Sequence, residues 1–264
     1  MLSCNINDSS IYVDLGNQFY EKGNYKLAIS NYSNAIKMDA NNVDAYFFRA
    51  IAYTDINMLN AATKDYDSIL RINEKYKYAY SNRGFIYLRN KSYNKAESDF
   101  FSEIRNNPNV ADAYYGLGQI YFEKNNFEQS QEKLSIAIKL DSTKLMYYYW
   151  RGQAFMLQGK YQKAIQDFSI QLKIDTTFAA DAYKLRGACY QSLGNNKLSV
   201  QDYNKALTIS PNDGSIYMCR ASLYITLDST RNAILDYKRA ADLGFKDGSK
   251  FLKELFNIKY PFTN

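Results

Sequence analysis

The chain has 264 residues, a formal net charge of +6 and a hydrophobic fraction of 46%, which is enough apolar side chain for one or two folded domains. Tyrosine and phenylalanine are abundant, at 26 and 15 residues, whereas histidine is absent. The lack of histidine excludes Ser-His-Asp and Cys-His nucleophile systems and all histidine metal ligands. We therefore expect a protein that is not an enzyme and that uses no metal or other cofactor.

The first eight residues are predicted to be an N-terminal tail. Leu2, Ser3 and Cys4 resemble the end of a bacterial lipoprotein cleavage site, but no apolar stretch precedes them, and the alternative is a frayed start with an incidental cysteine. No apolar run approaches the ~20 residues of a transmembrane helix. We expect a cytoplasmic protein without a transmembrane segment, with a periplasmic or membrane-tethered lipoprotein as the alternative that depends on Cys4.

From Ser9 onward the sequence repeats about every 34 residues. In the first unit, Gly16 and Phe19 follow Tyr12 at steps of four and three, which places all three on one face of a first helix. One extra residue near Ala179 shifts the frame. The tyrosine at the fourth place recurs in seven units, at Tyr12, Tyr46, Tyr80, Tyr114, Tyr148, Tyr183 and Tyr217.

A polar turn, such as Gly23 and Asn24, then separates the first helix from a second one. The second helix carries a small residue and, four places later, a ring or leucine, as at Ala28 and Tyr32. A single hairpin leaves apolar surface uncovered, so neighbouring hairpins are expected to stack. An apolar stripe at Phe251, Leu252, Leu255 and Phe256 predicts a terminal helix that covers the last hairpin.

This order of small, aromatic, small and aromatic residues resembles the tetratricopeptide repeat from Ser9 to about Asp247. The resemblance implies an all-α fold, a right-handed superhelical solenoid of stacked antiparallel helix hairpins with a C-terminal capping helix. The leucine that the family carries before the small residue is kept at Leu15 and Leu117 and is arginine in the other five units. The predicted organisation is a tail at 1–8, seven repeats at 9–42, 43–76, 77–110, 111–144, 145–178, 180–213 and 214–247, and a capping helix with a tail at 248–264.

In the family that the chain resembles, the first helices line a concave groove through their second, fifth, sixth, ninth, twelfth and thirteenth places. Aromatic residues at such places concentrate in units two to five, and aromatic side chains are favoured anchors at binding surfaces. The alternative is that some of these rings pack between adjacent first helices. The predicted peptide-binding groove consists of Asn17, Phe47, Phe48, Tyr78, Asn82, Phe85, Tyr115, Phe122, Tyr149 and Trp150.

The charges at groove places are mostly acidic, with Glu21 and Asp55 as examples, whereas lysines crowd the second helices. This distribution argues against nucleic-acid binding, which needs basic charge gathered on one surface. Asp65 and Asp67 lie on a lysine-rich helix and are interpreted as solvated surface. Some family members clamp a C-terminal carboxylate with cations and amides at set places; those places here are Val13, Asn17, Phe48, Tyr78 and Asn82, where only Asn17 fits.

We therefore expect a protein-interaction scaffold that binds a partner protein or an extended peptide with apolar and basic side chains in an aromatic, mildly acidic groove. No nucleic acid and no small-molecule substrate are expected. The alternative is a structural or assembly subunit, of which a membrane-tethered cell-envelope lipoprotein is one version. Self-association belongs to that alternative.

Overall fold

The computed structural model describes residues 9–174 and 179–258, and in this part of the chain it contains helices and no strand. Three segments lie outside the described residues: the predicted N-terminal tail with Cys4, residues 175–178 before the frame shift near Ala179, and residues 259–264 of the C-terminal tail. None of the helices within the described ranges combines the length and apolarity needed to cross a membrane.

The described residues form fifteen helices in two compact units, and the chain passes from the first unit to the second between Lys124 and Asn125. The N-terminal unit contains α1 (Ser9–Glu21), α2 (Tyr25–Met38), α3 (Val43–Asp55), α4 (Leu59–Ile72), α5 (Ala79–Arg89), α6 (Tyr93–Asn106) and α7 (Ala111–Glu123). The C-terminal unit contains α8 (Phe127–Leu140), α9 (Leu145–Leu157), α10 (Tyr161–Ile174), α11 (Ala179–Ser192), α12 (Asn196–Ile209), α13 (Gly214–Thr226), α14 (Thr230–Asp242) and α15 (Lys246–Phe256).

Small residues let the two helices of a hairpin approach each other closely. In the first hairpin, α1 packs on α2, and a Cβ atom added to Gly16 would lie 2.3 Å from the ring of Tyr32. Tyr32 is 1% exposed and Ala28 is fully buried beside it. Gly16 on the first helix and the predicted pair Ala28 and Tyr32 on the second therefore lie on buried faces, where the ring fills the space that the missing side chain leaves.

The turn between the helices is closed by a cap. Gly23 has a φ of +72°, a left-handed conformation that glycine adopts without steric cost. Asn24 follows it, and its side-chain oxygen accepts a hydrogen bond from the backbone N–H of Leu27 at 3.2 Å. This is the usual way in which an asparagine before a helix satisfies one of the free N–H groups of the first turn.

The last helix, α15, packs on α14. Leu252 is fully buried, and the ring of Phe251 lies 5.4 Å from that of Tyr237. Leu255, which the sequence placed in the same apolar stripe, is 53% exposed. The buried face is centred on Gly248, Ser249 and Leu252, so Leu255 falls at its edge, and the predicted stripe was too wide.

The five arginines that replace the family's leucine form a set of ion pairs. Each donates two hydrogen bonds, from Nε and Nη2, to an aspartate sixteen residues later on the second helix, at 2.7 to 2.9 Å. The aspartates are at most 5% exposed. The pairs are Arg49 with Asp65, Arg83 with Asp99, Arg151 with Asp167, Arg186 with Asp202 and Arg220 with Asp236.

Each guanidinium group makes further contacts. It lies 5.4 to 5.9 Å from the centroids of two aromatic rings of its own first helix, as Arg49 does with Tyr46 and Tyr53. Its third nitrogen, Nη1, donates to a side chain of the preceding repeat. The acceptors are Ser33, Asp67, Ser135, Ser169 and Asn204. In these five repeats the tyrosine at the fourth place therefore packs against a cation as well as against the apolar core.

The interpretation of Asp65 as solvated surface was wrong. Asp65 is 5% exposed because its carboxylate is enclosed by the guanidinium of Arg49. Asp67 has an exposed side chain but still pairs with Arg83, at 2.6 Å. The lysine-rich neighbourhood was misleading, since Lys64 is exposed to solvent on the same turn of helix.

Candidate functional site

Two pockets lie between consecutive first helices of the N-terminal unit. The first pocket, of about 380 Å³, is lined by Asn17, Tyr20, Glu21, Tyr32, Phe48 and Ile51. The second pocket, of about 280 Å³, is lined by Ile51, Thr54, Asp55, Leu59, Tyr66, Asn82, Phe85, Ile86 and Arg89. Ile51 lines both pockets, so they are neighbours on one surface formed by α1, α3 and α5.

Hydrogen bonds hold the polar groups of these pockets in place. The Tyr20 hydroxyl donates to a carboxylate oxygen of Asp55, which connects the wall of the first pocket to that of the second. The Tyr32 hydroxyl donates to Oδ1 of Asn17 at 2.8 Å. Burial, together with Asp55, raises the pKa of Tyr20, and burial raises the pKa of Tyr32 to about 12. Both hydroxyl groups therefore stay neutral donors at physiological pH.

The electrostatics of the first pocket are acidic. Glu21 is exposed at the edge of this pocket. The carboxylate of Asp55 is joined to the pocket by the hydrogen bond that it accepts from Tyr20, one of the lining residues. The lining residues of this pocket contain no Lys or Arg. The second pocket has both Asp55 and Arg89 among its lining residues and is otherwise mostly apolar.

Four residues of the predicted groove line these pockets: Asn17 and Phe48 the first, Asn82 and Phe85 the second. The ring of Phe48 stacks on that of Tyr32 at 6.0 Å between centroids. Phe85 makes an edge contact with the buried Phe100 at 5.0 Å. Each of these rings has one side in the core and another facing a pocket.

Two predicted residues of the same unit lie elsewhere. Phe47 packs among Phe48, Tyr66 and Tyr76 and contributes to the core around α3 and α4. Tyr78 precedes α5 with a φ of +71°, and its ring, which is 40% exposed, lies 4.7 Å from Nζ of Lys77. Neither is among the residues that line the two pockets.

The remaining predicted residues are on other helices. Tyr115 and Phe122 are partly buried on α7, and the ring of Tyr115 lies 6.0 Å from that of Phe85. Tyr149 and Trp150 belong to the C-terminal unit, where their rings meet edge to face at 6.0 Å. Tyr149 also packs against the core around Phe168, and burial raises its pKa.

Sequence reasoning missed Tyr20 and Ile51. Both occupy groove places of the repeat, the twelfth and the ninth, but Ile51 is not aromatic and Tyr20 belongs to the first unit. Counting every residue type at the groove places in all units would have found both. Only the structure shows the bond from Tyr20 to Asp55.

Family models of the tetratricopeptide repeat match residues 16–57, 86–141, 115–174 and 180–213. No curated protein sequence matches the chain at a significant level.

Solved structures share the fold at low sequence identity. A structure described as a functional characterisation of PilF from Pseudomonas aeruginosa is 15% identical, with a TM-score of 0.70 over 77% of this chain and 92% of that one. A tetratricopeptide repeat protein from Parabacteroides merdae is 19% identical, with a TM-score of 0.65 over 95% and 98%. YrrB, described as a protein of this family with an unusual peptide-binding site, is 22% identical, with a TM-score of 0.58 over 70% and 94%.

The helix hairpins, their small and aromatic residues and the matches to repeat models agree with one another. The chain belongs to the tetratricopeptide repeat family.

Proposed function

We propose that this protein is an interaction scaffold whose N-terminal unit binds an extended peptide segment of a partner across α1, α3 and α5. The observation that carries the proposal is the pair of neighbouring pockets on either side of Ile51, one acidic and one mostly apolar. Packed helices present such a surface ready-made, so that little ordering cost falls on the scaffold when the peptide binds.

The first pocket fits a lysine or arginine side chain of the peptide. Long basic side chains bury their aliphatic stems while the charged end stays near polar groups. Here the stem would lie against Phe48 and Ile51, and the cation would reach Glu21 and the carboxylate of Asp55 that Tyr20 holds. An acidic side chain in the same place would meet two carboxylates and no cation among the lining residues.

The second pocket fits an apolar side chain. Leu59, Phe85 and Ile86 supply its apolar walls, and Asn82 offers an amide that can both donate to and accept from a peptide backbone. A segment with a basic residue followed by an apolar residue therefore matches the two pockets in order. YrrB has a peptide-binding site of its own, and that site supports a peptide as the class of ligand for a scaffold with this fold.

The test is a titration with two short fluorescent peptides that differ only in charge: leucines interspersed with lysines, and leucines interspersed with glutamates. We expect the lysine peptide to bind to the wild-type protein, and Glu21→Gln to weaken it about two- to fivefold, as for a partly exposed charge pair. Phe48→Ala should weaken it about tenfold or more, because an aromatic anchor is lost.

The matched control is Phe48→Leu, which keeps an apolar side chain in the wall of the pocket and is expected to retain most of the affinity. Circular dichroism checks that each variant is folded. The proposal is wrong if the lysine peptide does not bind, or if it binds equally well to the wild-type protein, Glu21→Gln and Phe48→Ala.

A further inference from the structure

A third cavity lies beside the first pocket, at the turns that connect first and second helices, where the ring of Tyr25 meets that of Tyr20 edge to face at 5.4 Å. It is an open depression of about 820 Å³ between the turn after α1 and the turn after α3. This turn depression is lined by Lys22, Gly23, Asn24, Tyr25, Lys26, Ile29, Tyr53, Ile56 and Met58. It shares no lining residue with either pocket, and its volume is within the range of ordinary ligand sites.

Met58 is out of place for a helix cap. In the other six repeats the residue directly before the second helix is polar: Asn24, Ser92, Asn126, Lys160, Asn195 and Ser229. Asn24 and Asn126 cap their helices through the side chain, whereas Ser92, Asn195, Ser229 and Met58 make no such hydrogen bond. Met58 differs from all of them in being apolar, and it is 49% exposed. A methionine here lacks the stabilisation that a polar cap provides, and it exposes apolar surface to water.

The surroundings of Met58 continue the apolar surface. Ile56, on the same turn, is 39% exposed. Tyr25, Ile29 and Tyr53 are partly buried and form the floor. Local rules of sequence are most often broken at functional sites, and methionine is a common residue at adaptable binding surfaces because its side chain is flexible and polarisable.

The charge of the turn depression is opposite to that of the first pocket. Lys22 and Lys26 are both exposed at its edge, and none of its lining residues is acidic. Apolar surface with a cationic rim is complementary to an apolar side chain flanked by carboxylates. A basic segment would meet two lysines and no compensating charge among the lining residues.

We propose that the turn depression is a second docking site, which binds an acidic segment of a partner protein by burying one large apolar side chain against Met58 and Ile56. The flanking carboxylates of the segment pair with Lys22 and Lys26. This site shares no lining residue with the peptide site on α1, α3 and α5, and the two sites select opposite charges.

The decisive variant is Met58→Asn, which installs the residue that caps α2 and α8. It is expected to raise the melting temperature, because a polar cap satisfies a helix N–H group, and at the same time to weaken binding of a short fluorescent peptide with one leucine between glutamates about tenfold or more. A loss of affinity in a more stable protein cannot come from unfolding. Lys22→Gln with Lys26→Gln should also weaken the same peptide and make its binding less sensitive to salt, because no charge attraction is left to screen.

Phe48→Ala is the matched control, because it changes the first pocket without altering the charges beside the turn depression; it should not alter binding of the glutamate peptide. The lysine peptide should show the reverse pattern, weakened by Phe48→Ala and unaffected by Met58→Asn. Absence of binding by the glutamate peptide, or binding that Met58→Asn leaves unchanged, would overturn the second site. Self-association that Met58→Asn abolishes, without binding of the glutamate peptide, would also overturn it and would assign the surface to a second copy of the chain.

Discussion

Repeats one and four differ from the other five at two linked positions. Where the five carry arginine, these two carry Leu15 and Leu117, and where the five carry the paired aspartate, they carry Asn31 and Lys133. The residue that accepts from the third guanidinium nitrogen changes as well. Sixteen residues before Leu117, in repeat three, the chain has Phe101, which is 43% exposed and cannot accept such a bond through its side chain. The arginine, its aspartate and its acceptor therefore change together, as expected when a buried charge without its partner is costly.

The largest effect is expected from breaking one pair. Asp167→Ala leaves the guanidinium of Arg151 largely enclosed without its carboxylate, and we expect a loss of roughly 3 kcal/mol in the free energy of unfolding. Lys133→Ala, at the corresponding place of repeat four, is expected to cost less than about 0.5 kcal/mol. Urea denaturation measures the free energy of unfolding of both variants. Equal losses would show that the ion pair of Arg151 and Asp167 stabilises the fold no more than Lys133 does.

Replacing both partners sharpens the comparison. Arg151→Leu with Asp167→Asn gives repeat five the residues of repeat one, and no charge is left without its partner. We expect this double variant to lose about 1 to 2 kcal/mol less than Asp167→Ala alone, because apolar replacement of a whole buried pair is often nearly neutral. The single variants Arg151→Leu and Asp167→Asn complete a double-mutant cycle. Strictly additive losses of unfolding free energy would contradict the idea that the two residues act as a set.

A smaller difference separates the glycines of repeats one and six. A Cβ atom on Gly16 would lie 2.3 Å from the ring of Tyr32, but one on Gly187 would lie 3.1 Å from that of Tyr203. Gly16→Ala is expected to cost about 1 to 3 kcal/mol through overpacking. Gly187→Ala should be close to neutral, because the helix propensity of alanine offsets the tighter contact by about 1 kcal/mol. Thermal unfolding of the two variants side by side would reveal a reversed order if the ring of Tyr32 moves aside.

The smallest effect is a dependence of stability on pH that arises from the buried tyrosines and is absent near neutral pH. Burial raises the pKa of Tyr32 to about 12, against an ordinary value of about 10 in the unfolded chain. The unfolded state therefore loses its proton first, so the contribution of Tyr32 to stability is complete below pH ~10 and is lost as the pH rises towards 12. Tyr32→Phe should reduce the slope of stability against pH in that window, whereas an unchanged slope would exclude Tyr32 as its source. Leu134, the equivalent residue of repeat four, has no proton to lose.

The sequence predicted the hairpins well because their spacing is set by helix geometry, as Gly16 and Tyr32 show. It did not reveal the pairing of Arg49 with Asp65, since the two lie on different helices and periodicity along one helix does not relate them. The constant separation of sixteen residues, present only where arginine replaces leucine, was nevertheless readable in the sequence. The surface was harder: Phe47 and Phe48 are adjacent, yet one packs into the core and the other lines a pocket, because small rotations between helices decide which ring is covered.

The third nitrogen of each arginine has a consequence for how this chain can be divided and recombined. A cut between repeats two and three would separate Arg83 from Asp67, and a cut between repeats four and five would separate Arg151 from Ser135. A cut after residue 110 separates none of the five arginines from its acceptor. Repeat four has Leu117 at the arginine position, and repeat three has Phe101 at the position of the corresponding acceptor. Gene fragments joined or exchanged at that point would carry each of these arginines together with its aspartate and its acceptor, although the cut removes α7 from the apolar core around Phe100.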